Sequence, residues 1–489
     1  MIRRLIRLAR TLVLVVVVVI VTVLAVRIVD TLRGPELEPW HTVVPPELDA
    51  AELDRTDWAG WLAAEDKAFA AVRSEVTEAL PAADRVPYNR YFDGSPIYTP
   101  ALKHDWNRSY ELLPKGEIKG AAVFIHGLTD SPYSLRHVAE LYRDRGFVAV
   151  GLRVPGHGTV PGGLTEGTWQ DWLAATRLAM REAARQAGPG KPLHILGYSN
   201  GGALALLYAL EAQKNPARPQ PAEVVLFSPM VGVTEFARFA GLAGLPAFLP
   251  AFARTAWLNI LPEFNPFKYN SFPVNAARQS YLLTQALQSE LRAQDGGGTL
   301  RGFPPVLTFQ SVLDQTVLTS AIVSSLHGVL SGGNSELVLY DINRNAAVDA
   351  AELFRPRTLE ATGRVLPPAP RPFRTTLITN VSRDSAAVEA RTTEAGSTQE
   401  TRTPIGASYP RGVYSLSHIA VPFPLWDGLY GLYPAGTPDE DFGIEIGNVA
   451  ARGERGALVV DKDFLMRMSS NPFYDDMMAR IAARLPPAQ

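Results

Sequence analysis

The sequence predicts an α/β protein built on a doubly wound, mostly parallel sheet, and three observations carry that expectation. From about Ser109 onward, apolar runs of strand length alternate with helical stretches, the pattern of a parallel sheet covered on both faces. Within that alternation a serine sits in Gly197-Tyr198-Ser199-Asn200-Gly201, after a buried-strand run and before a small, apolar helical run. Two long interruptions, about 231–301 and 343–411, break an otherwise regular order. The 489 residues, 46% of them hydrophobic, suffice for one large domain with insertions or for two domains. A net charge of −2 gives no electrostatic reason to expect nucleic acid as a partner. The absence of cysteine excludes disulfides, thiolate metal sites and a cysteine nucleophile.

At the N-terminus, Arg3, Arg4, Arg7 and Arg10 precede an uncharged, valine-rich run from Leu12 to Val26. Residues 1–30 therefore read as a membrane anchor, with Arg10 and Arg27 reaching toward the headgroups at either end. The clustered arginines place the N-terminus in the cytoplasm and the body of the chain outside it. A cleaved signal peptide is the competing reading, but no A-x-A-like site follows the run. Residues 31–108 read as a stalk, punctuated by proline from Pro35 to Pro46, and a helical extension over 51–80 carrying Trp58, Trp61, Phe69 and Val72. The rest, 109–489, is expected to form the sheet domain.

Strands are expected at 109–113, 121–125, 147–154, 193–196, 224–227, 306–310 and 336–340, with helices at 134–145, 169–186, 200–212 and 320–330. The first insertion is apolar between Phe236 and Phe264 and falls where a cap over the Ser199 turn would sit; an extra helical layer without substrate contact is the alternative. The second insertion contains an alternating stretch, 375–381, able to pair as a strand.

A serine on a tight strand-to-helix turn is a nucleophile candidate. Glycines two positions before and two after let the backbone pack closely while the hydroxyl is pushed outward, and the helix aims its N–H groups at the same point. An ordinary glycine turn is the plainer reading of the pentapeptide alone. A serine hydroxyl needs a base, and the base needs a carboxylate. Asp314 follows the 306–310 strand by a short turn, so it projects from the C-terminal edge of the sheet; otherwise it caps the next helix. Of the eight histidines only His327 and His418 follow it, and His418, in a loop past the last regular strand, is favoured over His327, which lies in an apolar helical run. The oxyanion would be held by the backbone N–H groups of Asn200 and of Leu128, the latter in Ile125-His126-Gly127-Leu128-Thr129-Asp130-Ser131-Pro132. His126, and His157 in Pro155-Gly156-His157-Gly158-Thr159, read as loop-organising residues.

These stretches together resemble the α/β-hydrolase superfamily, in its bacterial carboxylesterase, monoacylglycerol lipase and lysophospholipase-like branch, grouped with S33-type serine aminopeptidases. The resemblance covers about 109–340 and resumes near His418. It implies Ser199 as nucleophile, Asp314 as acid, His418 as base, and Leu128 and Asn200 as oxyanion donors. It departs from the pattern in the long segment before His418 and in the N-terminal anchor. The expected activity is cleavage of carboxylic esters, acyl or lipid esters among them, through an acyl-enzyme that needs no cofactor or metal. An amidase or peptidase with the same triad, and a non-catalytic binding module on this fold, are the alternatives. Asp341 to Glu352 matches the oxygen positions of an EF-hand loop but has Ala346 where glycine is needed and follows a strand, so it reads as a polar loop.

Overall fold

The computed structural model describes residues 2–232, 250–294, 300–330, 334–345, 358, 360–410, 413–447 and 468–488. Its centre is a ten-stranded sheet: β1 (Tyr110–Leu112), β2 (Gly120–Ile125), β3 (Phe147–Leu152), β4 (Leu193–Tyr198), β5 (Glu223–Phe227), β6 (Val306–Ser311), β7 (Glu336–Tyr340), β8 (Arg374–Asn380), β9 (Ala387–Thr393) and β10 (Glu400–Ser408). The strands lie in the order β1-β3-β2-β4-β5-β6-β7-β8-β9-β10. From β3 to β8 every neighbour is parallel, whereas β1 pairs antiparallel with β3, and β9 and β10 close the far end antiparallel.

Both faces of the parallel strands are buried, which is why they read as continuous apolar runs. Along β2, Ala121, Val123 and Ile125 face one core, and Ala122 and Phe124 face the other. The first core takes helices Trp58–Val72, Trp169–Ala187 and Asn200–Lys214, the second Arg136–Asp144 and Tyr474–Ala482. Strand order reverses at β2, whose neighbours are β3 and β4. The crevice above the C-terminal ends of β2 and β4 is thus the switch point at which such sheets bind ligands.

The N-terminal anchor expected at 1–30 is corrected. Residues Ile2–Leu32 are helical, but among the described residues no helix is long and apolar enough to cross a membrane. The uncharged run Leu12–Val26 has 15 residues. As helix that is about 22 Å, against a hydrocarbon core of about 30 Å. The membrane partner and the outward placement of the body fall with it.

Segment 31–108 does not stand off as a stalk. Trp40 and His41 are buried, and the His41 ring reaches Ser271 Oγ at 3.0 Å. Its helix Trp58–Val72 delivers Glu65 to Arg153, whose guanidinium also takes Glu47 in a two-pronged pair at 2.6 and 3.0 Å. Arg153 in turn donates to the His157 carbonyl, and Glu47 accepts from Gly156 N–H. The extension therefore braces the Pro155–Thr159 loop beside the crevice.

The apolar stretch 233–249 of the first insertion lies outside the described residues. The part that follows ends in helix Val274–Gln294, packed on the helices Trp169–Ala187 and Asn200–Lys214. The second insertion adds β8 beside β7, one residue ahead of the strand expected at 375–381, and carries the sheet on through β9 and β10.

Candidate active site

Ser199 follows β4 with φ 52° and ψ −113°, a conformation that L-residues rarely take. The turn is held by Ser199 N–H to the Phe227 carbonyl at 3.0 Å and Met230 N–H to the Ser199 carbonyl at 2.9 Å. Glycine is required two residues on: a Cβ at Gly201 would strike the carbonyl oxygens of Ile125 and His126. That close approach seats the helix Asn200–Lys214 directly behind Ser199, with its N-terminal N–H groups and positive dipole end at the turn.

The loop after β2 lies across the crevice. Thr129 has φ 62°, and its carbonyl accepts from Tyr269 N–H at 2.7 Å, tying the loop to the first insertion. Asp130 anchors it from below, accepting from Ser134 Oγ–H and, at 3.4 Å, from Gly127 N–H. Burial raises the Asp130 carboxyl to about 6, against the opposing pull of Lys268 and those hydrogen bonds.

Asp314 and His418, 104 residues apart, meet at 2.7 Å between Asp314 Oδ2 and His418 Nδ1. The other carboxylate oxygen accepts from the N–H groups of Thr316 and Val317 at 2.8 and 3.0 Å, and Gln310 Nε2 donates to Oδ2 at 3.1 Å. Asp314 is thus fully satisfied and held in one orientation, with His418 as one of its four donors. Ser311 Oγ donates to the Leu416 carbonyl at 2.8 Å, and Asn343 binds the carbonyls of Val413 and Tyr414, so the segment bearing His418 is fastened to the ends of β6 and β7. The long insertion detours and returns to the same edge.

Ser199 and His418 line one cavity of about 420 Å³ with Leu128, and His418 stacks on Tyr198 with ring centroids 5.5 Å apart. Its wall includes Met230, Phe272 and Ala277, so the first insertion does face the crevice. Asn200 is buried at the first position of its helix. All five residues singled out in the sequence therefore gather at one edge of the sheet.

His126, His157 and His327 are occupied otherwise. His126 accepts from Val154 N–H at Nε2 and faces the Gly127 carbonyl with Nδ1 at 2.8 Å, and burial holds it well below its ordinary value. His157 contacts the Pro155 carbonyl and is lowered by burial to about 4. His327 is fully buried on Thr308 Oγ1 at 2.9 Å and lowered to about 3, a packed residue. The first part of the loop beginning at Asp341 is also committed: the Asp341 carboxylate accepts from Arg344, Thr362 and Thr379, while residues 346–352 lie outside the described residues. Gln310 was not singled out in the sequence, where it is one more residue of an apolar strand; only its contact with Asp314 gives it meaning.

Residues 116–285 match the hydrolase family described as serine aminopeptidase, S33. A thermostable monoacylglycerol lipase of Bacillus sp. (strain H-257) is 30% identical over 87 residues, which is 18% of this chain and 34% of the relative, so the match spans about a third of that relative's length. Among solved structures, a metagenome-derived lipolytic enzyme is 21% identical, covering 49% of this chain and 88% of its own, with a TM-score of 0.38. A monoglyceride lipase from Saccharomyces cerevisiae is 17% identical over 47% of this chain and 81% of its own, with a TM-score of 0.36. At such scores neither adds to the sheet order itself. The resemblance to the α/β-hydrolase superfamily is shown; the matched segment holds Leu128, Ser199 and Asn200 and ends before Asp314 and His418.

Proposed function

We propose that this protein is a serine hydrolase that cleaves carboxylic esters through an acyl-enzyme. The observation that carries the reading is the His418 Nδ1 to Asp314 Oδ2 contact at 2.7 Å, on the wall of the cavity that Ser199 also lines. Asp314 holds the imidazole with Nδ1 protonated, leaving Nε2 to take the Ser199 proton as the hydroxyl attacks. The charge that develops on the carbonyl oxygen is met by the N–H groups of Leu128 and Asn200, each such donor being worth roughly a factor of 10²–10³. The imidazolium then returns its proton to the leaving alcohol, and water releases the acid by the same path. No cofactor enters these steps.

The family description favours a second reading, cleavage of aminoacyl amides. A site for a free α-amino group needs a carboxylate at the reacting end. Among the described residues lining the cavity there is none, while Met230, Phe272, Ala277 and Val317 suit an acyl chain. An ester with an apolar acyl group is therefore the substrate class, in line with the lipase named among the relatives. Turnover of p-nitrophenyl esters of two to twelve acyl carbons, set against aminoacyl p-nitroanilides, is the test. The expected result is ester cleavage that falls by about 10⁴-fold or more in Ser199→Ala; undiminished cleavage in that variant, or turnover of the anilides alone, contradicts it.

A further inference from the structure

Away from the cavity, the helix that follows the Leu128 loop carries His137 to a buried group of carboxylates. His137 Nε2 lies 3.6 Å from Asp427 Oδ2 and 3.7 Å from Glu440 Oε1, and the three ligand atoms are all within 4.8 Å of one another. His137 is 7% exposed, and its Nε2 is buried without a hydrogen-bond partner. The other ring nitrogen, Nδ1, is 3.3 Å from Glu140 Oε2. A ring that gives its Nδ1 proton to a carboxylate keeps a lone pair at Nε2. Nε2 is aimed at two further carboxylates, so either a second ring proton or a metal ion must stand between them.

Charge points the same way. Arg136 donates to Asp427 Oδ2 at 2.9 Å and Glu440 Oε2 at 2.6 Å, so one guanidinium serves both of the carboxylates that face Nε2. The neighbouring Arg143 is engaged by Asp144 at 2.8 Å and also acts on Glu140, at the Nδ1 side of the ring. Asp427 Oδ1 is already filled by Tyr133 Oη–H and the N–H groups of Leu429 and Tyr430, which fixes Oδ2 on the side of His137.

We propose that His137 Nε2, Asp427 Oδ2 and Glu440 Oε1 bind a divalent transition-metal ion of the zinc type. Nitrogen and carboxylate donors at about 2.0–2.2 Å from such an ion stand about 3–4 Å from each other, close to the separations found. An imidazole ligand selects zinc over calcium, which takes six to eight oxygens. Glu140 on Nδ1 is the orienting carboxylate that metal-bound histidines have. The ion is structural: it fastens the segment that continues from His418 to the helix that continues from the Leu128 loop. Zinc binding is read without turnover, so the test stands apart from the ester-cleavage reading.

The experiment titrates full-length protein, stripped with EDTA and dialysed, with ZnCl₂ in a calorimeter, with CaCl₂ in parallel. One zinc per chain is expected, with affinity at least tenfold weaker in His137→Gln and a melting temperature raised by zinc in the wild type only. No zinc uptake by the folded wild type, unchanged affinity in His137→Gln, or calcium bound in preference to zinc overturns the proposal. Should His137→Gln fail to fold, a zinc-soaked wild-type crystal decides: an anomalous peak among the three side chains supports the site. Its absence, or a ring protonated at both nitrogens by ¹⁵N NMR in the presence of zinc, overturns it.

Discussion

Two buried histidines, His126 after β2 and His418 on the cavity wall, differ in what each ring is given to bind. His126 is closed off: Nε2 takes a backbone N–H, Nδ1 faces a carbonyl, and burial keeps it neutral. His418 has a carboxylate on Nδ1 and its ring on the cavity wall. A carbonyl partner fixes a tautomer; a carboxylate also stabilises the imidazolium that base catalysis must pass through. The comparison teaches that a histidine's role is set by its partners, and partners are what a sequence does not print.

The sharpest way to break the contrast is to exchange the partner. Asp314→Asn keeps the shape but gives the ring an amide in place of the carboxylate, so kcat should fall about 10⁴-fold, and His418→Ala by a similar factor. His126→Asn should instead cost about 1–3 kcal/mol in urea unfolding while kcat of the folded protein changes less than tenfold. If His126→Asn lost activity as His418→Ala does, without losing stability, the assignment of the two histidines would be reversed.

Burial supplies the next largest effect. His157 and His194 are lowered to about 4 and His327 to about 3. Because their folded values lie below the unfolded one, the unfolded chain binds more protons, and stability present above pH about 6.5 is lost as pH falls toward 4 and below. Each ring contributes on the order of 1.4 kcal/mol per unit of displacement. Unfolding free energies at pH 7 and pH 5 check this; equal values would contradict the neutral, buried assignment.

Gly201→Ala probes the turn that carries Ser199. Its Cβ meets backbone oxygen on the β2 loop, where no side chain can yield, and the expected loss is about 1–3 kcal/mol or more. Asp130→Asn is the smallest and has the opposite pH sign to the histidines. A carboxyl raised to about 6 when folded favours folding at low pH, so wild type should lose stability relative to the variant as pH rises from about 4 to 6. A constant difference across that window would mean the Asp130 carboxyl is not raised.

The alternation of strands and helices from β1 to β7 was legible because parallel strands buried on both faces leave continuous apolar runs, and the Ser199 turn because only glycine fits against Ile125. Asp314 and His418 could be proposed because the order of elements puts both past the last strands at one edge. The anchor was misread from the apolar character of residues 12–26, whose 15-residue length was the better guide. Gln310, the Arg153–Glu47–Glu65 brace and the cluster around His137 left no trace at all. Apart from the His137–Glu140 pair, one helical turn apart, their partners lie from 4 to about 300 residues away, and contact in space is the signal they carry.

The central claim is that Ser199 is made nucleophilic by His418 and Asp314. Labelling the purified protein with a fluorophosphonate, followed by peptide mass spectrometry, tests it most directly. The adduct is expected on Ser199 in the wild type, absent from Ser199→Ala and strongly slowed in His418→Ala. An unlabelled, folded wild type, or labelling that proceeds at the wild-type rate in His418→Ala, would contradict it.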